Sequence, residues 1–147
     1  MNTIRRVLYT AKTHTTGGRE GGRSRTSDGR LDVKLTSPGA NGNGTNPEQL
    51  FAVGWSSCFL SAIKLESAAS KIRLPEGAAV DAEVDLGETD GEYFLQARLN
   101  VSLPGIDRQT AQSLVDGAHR RCPYSKAVHG NINVLTNLID AAAVPAA

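Results

Sequence analysis

The chain has 147 residues, with 15 acidic against 16 basic side chains, a net charge of +1, 39% hydrophobic and 21% charged residues. This is the make-up of an ordinary soluble domain, long enough for one core and short for two, so a single domain over 1–147 is expected. Near-neutral charge removes the electrostatic basis for general nucleic-acid binding. No apolar run approaches the roughly 20 residues of a bilayer span, and Met1 to Arg6 lacks the apolar centre of a secretory signal, so the expectation is a cytoplasmic chain without membrane association.

The front of the chain is rich in glycine: eight of the 15 glycines fall between Gly17 and Gly44. Before it, Ile4 to Ala11 carries the β-branched and aromatic mix of a strand. Asp28-Gly29 is a turn signal, and Leu31, Val33 and Leu35 alternate with Asp32 and Lys34, so the front reads as a β-meander. Thr45-Asn46-Pro47-Glu48-Gln49 is a helix start, with Asn46 as cap, Pro47 at the first helical position and Gln49 completing a capping-box pattern. Phe51, Trp55, Cys58, Ala62, Leu65 and Ala69 then recur at helical spacing, which predicts a helix to about Lys71 with Cys58 on its buried stripe, stopped by Leu74-Pro75-Glu76-Gly77. That length suits a helix at the centre of a structure or of a dimer.

Val80 to Leu86 and Tyr93 to Leu103 alternate on either side of Asp90-Gly91, the clearest hairpin in the chain. A second helix is expected from Asp107, carrying Ala111, Leu114, Val115 and Ala118 on one face with Cys122. Pro123 interrupts it, and if Pro123 opens a short turn through Val128, Cys122 becomes that turn's cap. Ile132, Val134 and Leu138 suggest a last strand, and the Ala-rich end after Asp140 is expected to fray. Segregated strands and helices favour an α+β fold.

Two cysteines, Cys58 and Cys122, are too few for a disulfide-dense scaffold and lie too far apart for a CxxC site. His14, His119 and His129 give no HExxH, so a metal would need long-range assembly. Both cysteines fit a buried core role. Against that, Cys58 sits beside Ser56, Ser57 and Ser61, where a bulkier apolar residue fills space better. Cys122 adjoins Arg120 and Arg121 at a helix start, and positive charge and free amides lower a thiol pKa. The loop holding Arg19, Arg23 and Arg25 has the reach to bring a guanidinium to a thiolate, and Glu48 is a carboxylate suited to orient such an arginine. Taken alone, Arg23, Arg25 and Arg30 read as surface charges, Phe51, Trp55 and Phe59 as core, Tyr124 as a turn aromatic, His129 as a surface histidine, and Glu48 as a partner of the helix dipole.

Thr45-Asn46-Pro47-Glu48-Gln49-Leu50-Phe51 running into Ser57-Cys58-Phe59, the segment Gly17-Gly18-Arg19-Glu20-Gly21, and Cys122-Pro123-Tyr124-Ser125 followed by Gly130-Asn131 resemble the organic hydroperoxide resistance proteins of the OsmC superfamily. The resemblance spans nearly the whole chain, with three motifs in order. It implies an α+β fold forming an intertwined homodimer, with antiparallel sheets wrapping long central helices. It implies a thiol peroxidase acting on organic hydroperoxides, with no bound cofactor and with a lipoylated protein, whose dihydrolipoyl group is the dithiol, as reductant. Carried over by position, Cys58 is the peroxidatic cysteine, Cys122 the resolving one, Arg19 the active-site arginine and Glu48 the glutamate that holds it. Trp55 stands where a tyrosine or other aromatic is common in the family, and Lys126 and His129 decorate the Cys122 segment differently; whether Trp55, Tyr124 or His129 tunes substrate choice is left open by the sequence.

Helix geometry adds a constraint of its own. Ten residues separate Glu48 from Cys58 by roughly 15 Å along one straight helix and about 80° around it. The expectation is that the site is completed across a two-fold axis, with Arg19 and Glu48 of one subunit serving Cys58 of the other. Other readings are an OsmC-branch peroxidase of broader peroxide range and a non-catalytic dimer binding lipid-like molecules with a redox clasp. A DNA-binding redox regulator would need a recognition helix rich in exposed basic residues, which neither helix offers.

Overall fold

The computed structural model describes residues 1–140, so the expectation for the Ala-rich end lies outside the described residues. The chain divides into two compact units, Met1–Pro47 and Glu48 onward.

In the first unit, β1 (Thr13–Thr16), β2 (Arg23–Thr26) and β3 (Asp32–Lys34) form an antiparallel sheet in chain order. The meander is as expected, but its first strand is not. Ile4–Ala11 forms no strand, and Ile4, Val7, Leu8 and Tyr9 stand exposed. Strand propensity is a preference for a half-buried pleated surface, and without a neighbour there is no such surface to join. The β1–β2 connection is tight: a Cβ on Gly22 would lie 2.2 Å from the Thr16 carbonyl oxygen, so only glycine fits. Arg23 is clamped by Asp32 through two 2.7 Å hydrogen bonds, an exposed pair that fastens β2 to β3.

In the second unit, α1 (Pro47–Ala69, the proline being the last residue of the first unit) is followed by β4 (Ala79–Thr89), β5 (Glu92–Ser102), α2 (Arg108–Arg121), α3 (Pro123–Val128) and β6 (Asn133–Leu138). The long helix starts where Pro47 predicts, but Leu74-Pro75 does not end it. Lys71 adopts a left-handed φ of 56°, the Ile72 amide donates to the Ser67 carbonyl and the Lys71 amide to that of Ala68. These are the two hydrogen bonds of a Schellman motif, formed here on lysine instead of glycine. The buried stripe also differs from the expected one: Trp55, Phe59, Ala62, Ile63 and Ser67 are buried, Cys58 lies at the stripe's edge and Leu65 is 61% exposed.

The β4–β5 hairpin turns at Asp90-Gly91, both with positive φ, which pairs Thr89 with Glu92. These angles match the right-handed twist of the strands. β6 joins β5 in parallel, an exception to the expected antiparallel sheets, because the chain returns through α2 and α3 before pairing. The sheet and helices share one core, centred on Trp55, Phe59 and Ile63 of α1, Leu99 and Val101 of β5, Leu114 and Val115 of α2, and Cys122. Fully burying each large aliphatic or Phe side chain contributes about 1.5–3 kcal/mol.

Candidate functional site

Asp107 caps α2, its carboxylate accepting from the Thr110 amide at 3.0 Å. After 14 helical residues the helix ends at Cys122, whose extended backbone (φ −66°, ψ 121°) closes α2 and opens α3 with Pro123 at its first position. The proline forces this geometry, since the residue before it avoids helical angles. Cys122 is thus the junction residue expected from the sequence. Its side chain is fully buried, while Cys58, in the middle of α1, is half-buried.

The two cysteines are neighbours. Neither is in a disulfide, and both belong to one packed cluster, with Cys122 inside it and Cys58 against it. Burial, followed by the neighbouring Cys122, raises the Cys58 pKa above the ordinary thiol value; the Tyr124 amide acts in the opposite sense. Arg121, one of two arginines expected to polarise Cys122, is instead ion-paired with Glu66 of α1.

Aromatic packing holds the Cys122 turn against α1. The ring of Phe51 meets those of Trp55 and Tyr124 edge-on, at centroid distances of 5.7 and 6.0 Å. Tyr124 lies over Gly54, where an added Cβ would stand 2.4 Å from the phenol oxygen. Gly54 is therefore a notch that admits the tyrosine, a role not evident from the sequence. Tyr124 is 37% exposed and His129 is exposed, in keeping with a turn aromatic and a surface histidine.

Arg19 lies in the first unit, half-buried in the Gly17–Gly22 connection, and its carbonyl accepts from the Ser37 hydroxyl at 3.3 Å. Gly17, Gly18 and Gly21 all have positive φ around it, which shapes the turn that carries the arginine. Glu48 is the acidic residue of the first turn of α1, where the helix dipole favours a carboxylate. Among the described residues no cluster of three or more His, Cys, Asp or Glu side chains is arranged to hold a metal ion, and no helix is long and apolar enough to cross a membrane.

Sequence reasoning gave no role to His119 and Ser125, which are hydrogen-bonded to each other. One signal was present: His119 is three residues before Cys122 on one helix, a spacing that puts both on one face.

Known proteins agree with this architecture. The family model for OsmC-like protein matches residues 39–137. An organic hydroperoxide resistance protein of Xanthomonas axonopodis pv. citri (strain 306) is 47% identical over 137 residues, covering 90% of this chain and 96% of its own. The crystal structure of the organic hydroperoxide resistance protein OhrB of Bacillus subtilis superposes with a TM-score of 0.85 at 38% identity, covering 90% of this chain and all of its own. A structure titled as a putative organic hydroperoxide resistance protein from Vibrio cholerae, with captopril bound in one of its active sites, gives a TM-score of 0.85 at 37% identity, covering 94% of this chain and 96% of that one. By sequence, by fold and by the motifs that carry its two cysteines, the chain belongs to the OsmC family, in the branch of the organic hydroperoxide resistance proteins.

Proposed function

We propose that the protein is a cysteine-based peroxidase that reduces organic hydroperoxides, of the alkyl or fatty-acid kind, to alcohols and so serves in the oxidative stress response. The observation that carries this reading is that the fold brings Cys58 and Cys122 together as neighbours, one at the edge and one in the interior of a single core.

The Cys58 thiolate attacks the terminal oxygen of the hydroperoxide. The O–O bond breaks, the departing alkoxide takes a proton and leaves as the alcohol, and Cys58 becomes a sulfenic acid. Cys122 then attacks that sulfur, water leaves, and the two cysteines are joined as a disulfide. A dihydrolipoyl dithiol, carried by a lipoylated protein, restores both thiols by two successive exchanges and becomes the cyclic disulfide.

Ionising a thiol whose resting pKa is raised calls for a cation. Arg19 is assigned that role, stabilising the thiolate and the charge developing on the alkoxide, with Glu48 orienting its planar fork. In the working homodimer, Arg19 and Glu48 of one subunit serve Cys58 of the other. This chemistry needs no resident cofactor.

A steady-state assay tests the reading, comparing hydrogen peroxide with an alkyl hydroperoxide and running lipoyl and thioredoxin reductants in parallel. Repeated turnover is expected with the alkyl hydroperoxide and the lipoyl system. Equal turnover of both peroxides would move the assignment to a broader-range peroxidase, and consumption of no more than one equivalent would make the chain a binding protein with a redox clasp.

A further inference from the structure

A polar chain built from buried Trp55 and Ser125 and half-buried His119 and Thr136 runs through the second unit, and none of the chemistry above uses it. Ser125, the last residue of the Cys-Pro-Tyr-Ser segment, is only 6% exposed. The Trp55 indole Nε1–H donates to its Oγ at 3.2 Å. The same Oγ lies 3.0 Å from His119 Nδ1, and His119 Nε2 lies 2.8 Å from Thr136 Oγ1. The imidazole is also packed against Phe59, with ring centroids 4.5 Å apart and planes tilted by 50°. The chain ties together α1, α3, α2 and β6.

A proton inventory shows what keeps it intact. An indole N–H only donates, so Ser125 accepts from Trp55 and has one proton left to give. A neutral imidazole offers one donor and one acceptor. Either tautomer satisfies both ring nitrogens, with Ser125 donating to Nδ1 and Nε2–H to Thr136, or with both senses reversed. Burial pushes the His119 pKa below the ordinary histidine value, with the Asp116 carboxylate acting in the opposite direction and His129 in the same one.

The spacing relates this chain to the sulfurs. Trp55 is three residues before Cys58, His119 three before Cys122, and Ser125 three after Cys122. Each cysteine thus has a member of the chain about one helical turn away, and Ser125 is bonded to two of them. We infer that the Trp55–Ser125–His119–Thr136 chain positions the resolving cysteine, fixing the Cys122–Ser125 turn so that the Cys122 sulfur meets that of Cys58. His119 and Ser125 are positioning residues, acting through the turn without touching the hydroperoxide. The inference rests on the peroxidase reading for its purpose, but its test does not require peroxidase turnover.

The full chain is equilibrated with glutathione buffers, in which oxidised glutathione takes two electrons and two protons from the Cys58 and Cys122 thiols and leaves them as a disulfide. The disulfide fraction is read by alkylation and mass. In His119→Phe and Ser125→Ala, with folding checked by circular dichroism and melting, the equilibrium constant for disulfide formation should fall about tenfold, the order expected for losing one buried hydrogen bond. His119→Asn, whose amide can replace the Nδ1 contact, should recover part of the loss.

In a single turnover with an alkyl hydroperoxide, oxidation of Cys58 should keep its rate while closure of the disulfide slows. A residue that merely stabilised the fold would lower the melting temperature without separating these two steps. A fall of about threefold or more in the disulfide equilibrium or in the closure rate upholds the role, and a smaller change in both overturns it. Where His119→Phe does not fold, Ser125→Ala and Thr136→Val carry the measurement. Failure of the unsubstituted protein to form a Cys58–Cys122 disulfide at all would overturn the peroxidase reading itself, and the positioning role with it.

Discussion

Cys58 in the middle of α1 and Cys122 at the junction of α2 and α3 are neighbours in one core, although 64 residues separate them in the chain. One is half-buried and the other wholly buried. This asymmetry supports the proposed order of steps, in which the sulfur nearer solvent meets peroxide and the sealed one waits for the sulfenic acid.

Replacing each cysteine should therefore give different failures. Cys58→Ser should abolish peroxide reduction. Cys122→Ser should permit one oxidation of Cys58 and then stall, with sulfinic or sulfonic acid accumulating under excess peroxide. Intact mass after timed exposure separates the two, and activity of Cys58→Ser equal to that of the parent would end the mechanism.

Arg19 is expected to lower the cost of forming the thiolate. Removing a nearby cation raises a thiol pKa, so Arg19→Ala should move the pH midpoint of Cys58 alkylation upward relative to the parent. Arg19→Lys should keep part of the charge effect but lose peroxidase rate, because the ammonium lacks the planar fork. An unchanged midpoint in Arg19→Ala would remove the arginine from the site.

Gly54→Ala sets two effects against each other. In an exposed helix interior the change stabilises by about 1 kcal/mol. Here the new Cβ would stand 2.4 Å from the Tyr124 oxygen, and 3.0 Å from Cζ, so the ring and its turn must shift. The variant should gain no stability and should close the disulfide more slowly. A melting temperature raised by the full helix-propensity gain would show that the notch plays no part.

The stability of the second unit should depend on pH through His119. Its folded pKa lies below the ordinary histidine value of 6.5, with burial as the main cause, a smaller push in the same direction from His129 and an opposing one from Asp116. The neutral form is thus favoured by folding. This contribution is complete above pH 6.5 and is lost as the pH falls from there through the folded pKa. Denaturant titrations should show that decline in the parent and a shallower one in His119→Asn.

Much of this architecture could be read locally. Asp90-Gly91 specified the hairpin because only a turn with positive φ at both positions fits between the flanking alternating runs. Pro123 specified the break at Cys122 because it forbids helical angles there. The parallel pairing of β6 with β5 has no local turn to announce it, since the intervening crossover contains two helices. The end of α1 escaped notice because a lysine adopts the left-handed position usually given to glycine. Ile4–Ala11 has the composition of a strand without a ladder to join.

Of the candidate site, the sequence offers the two cysteines, in segments that resemble the family's motifs. The Gly54 notch and the Trp55–Ser125–His119–Thr136 chain depend on contacts across as many as 70 residues, which spacing within one helix does not encode.

The most direct test of the central claim is peptide mapping after one equivalent of an alkyl hydroperoxide is added to the fully reduced protein without any reductant. The account predicts a single cross-linked peptide joining Cys58 to Cys122, one equivalent of alcohol released, and recovery of both thiols on adding dihydrolipoamide. Both cysteines still alkylatable with the hydroperoxide intact, or a lasting Cys58 sulfenic acid beside an unreacted Cys122, would contradict it.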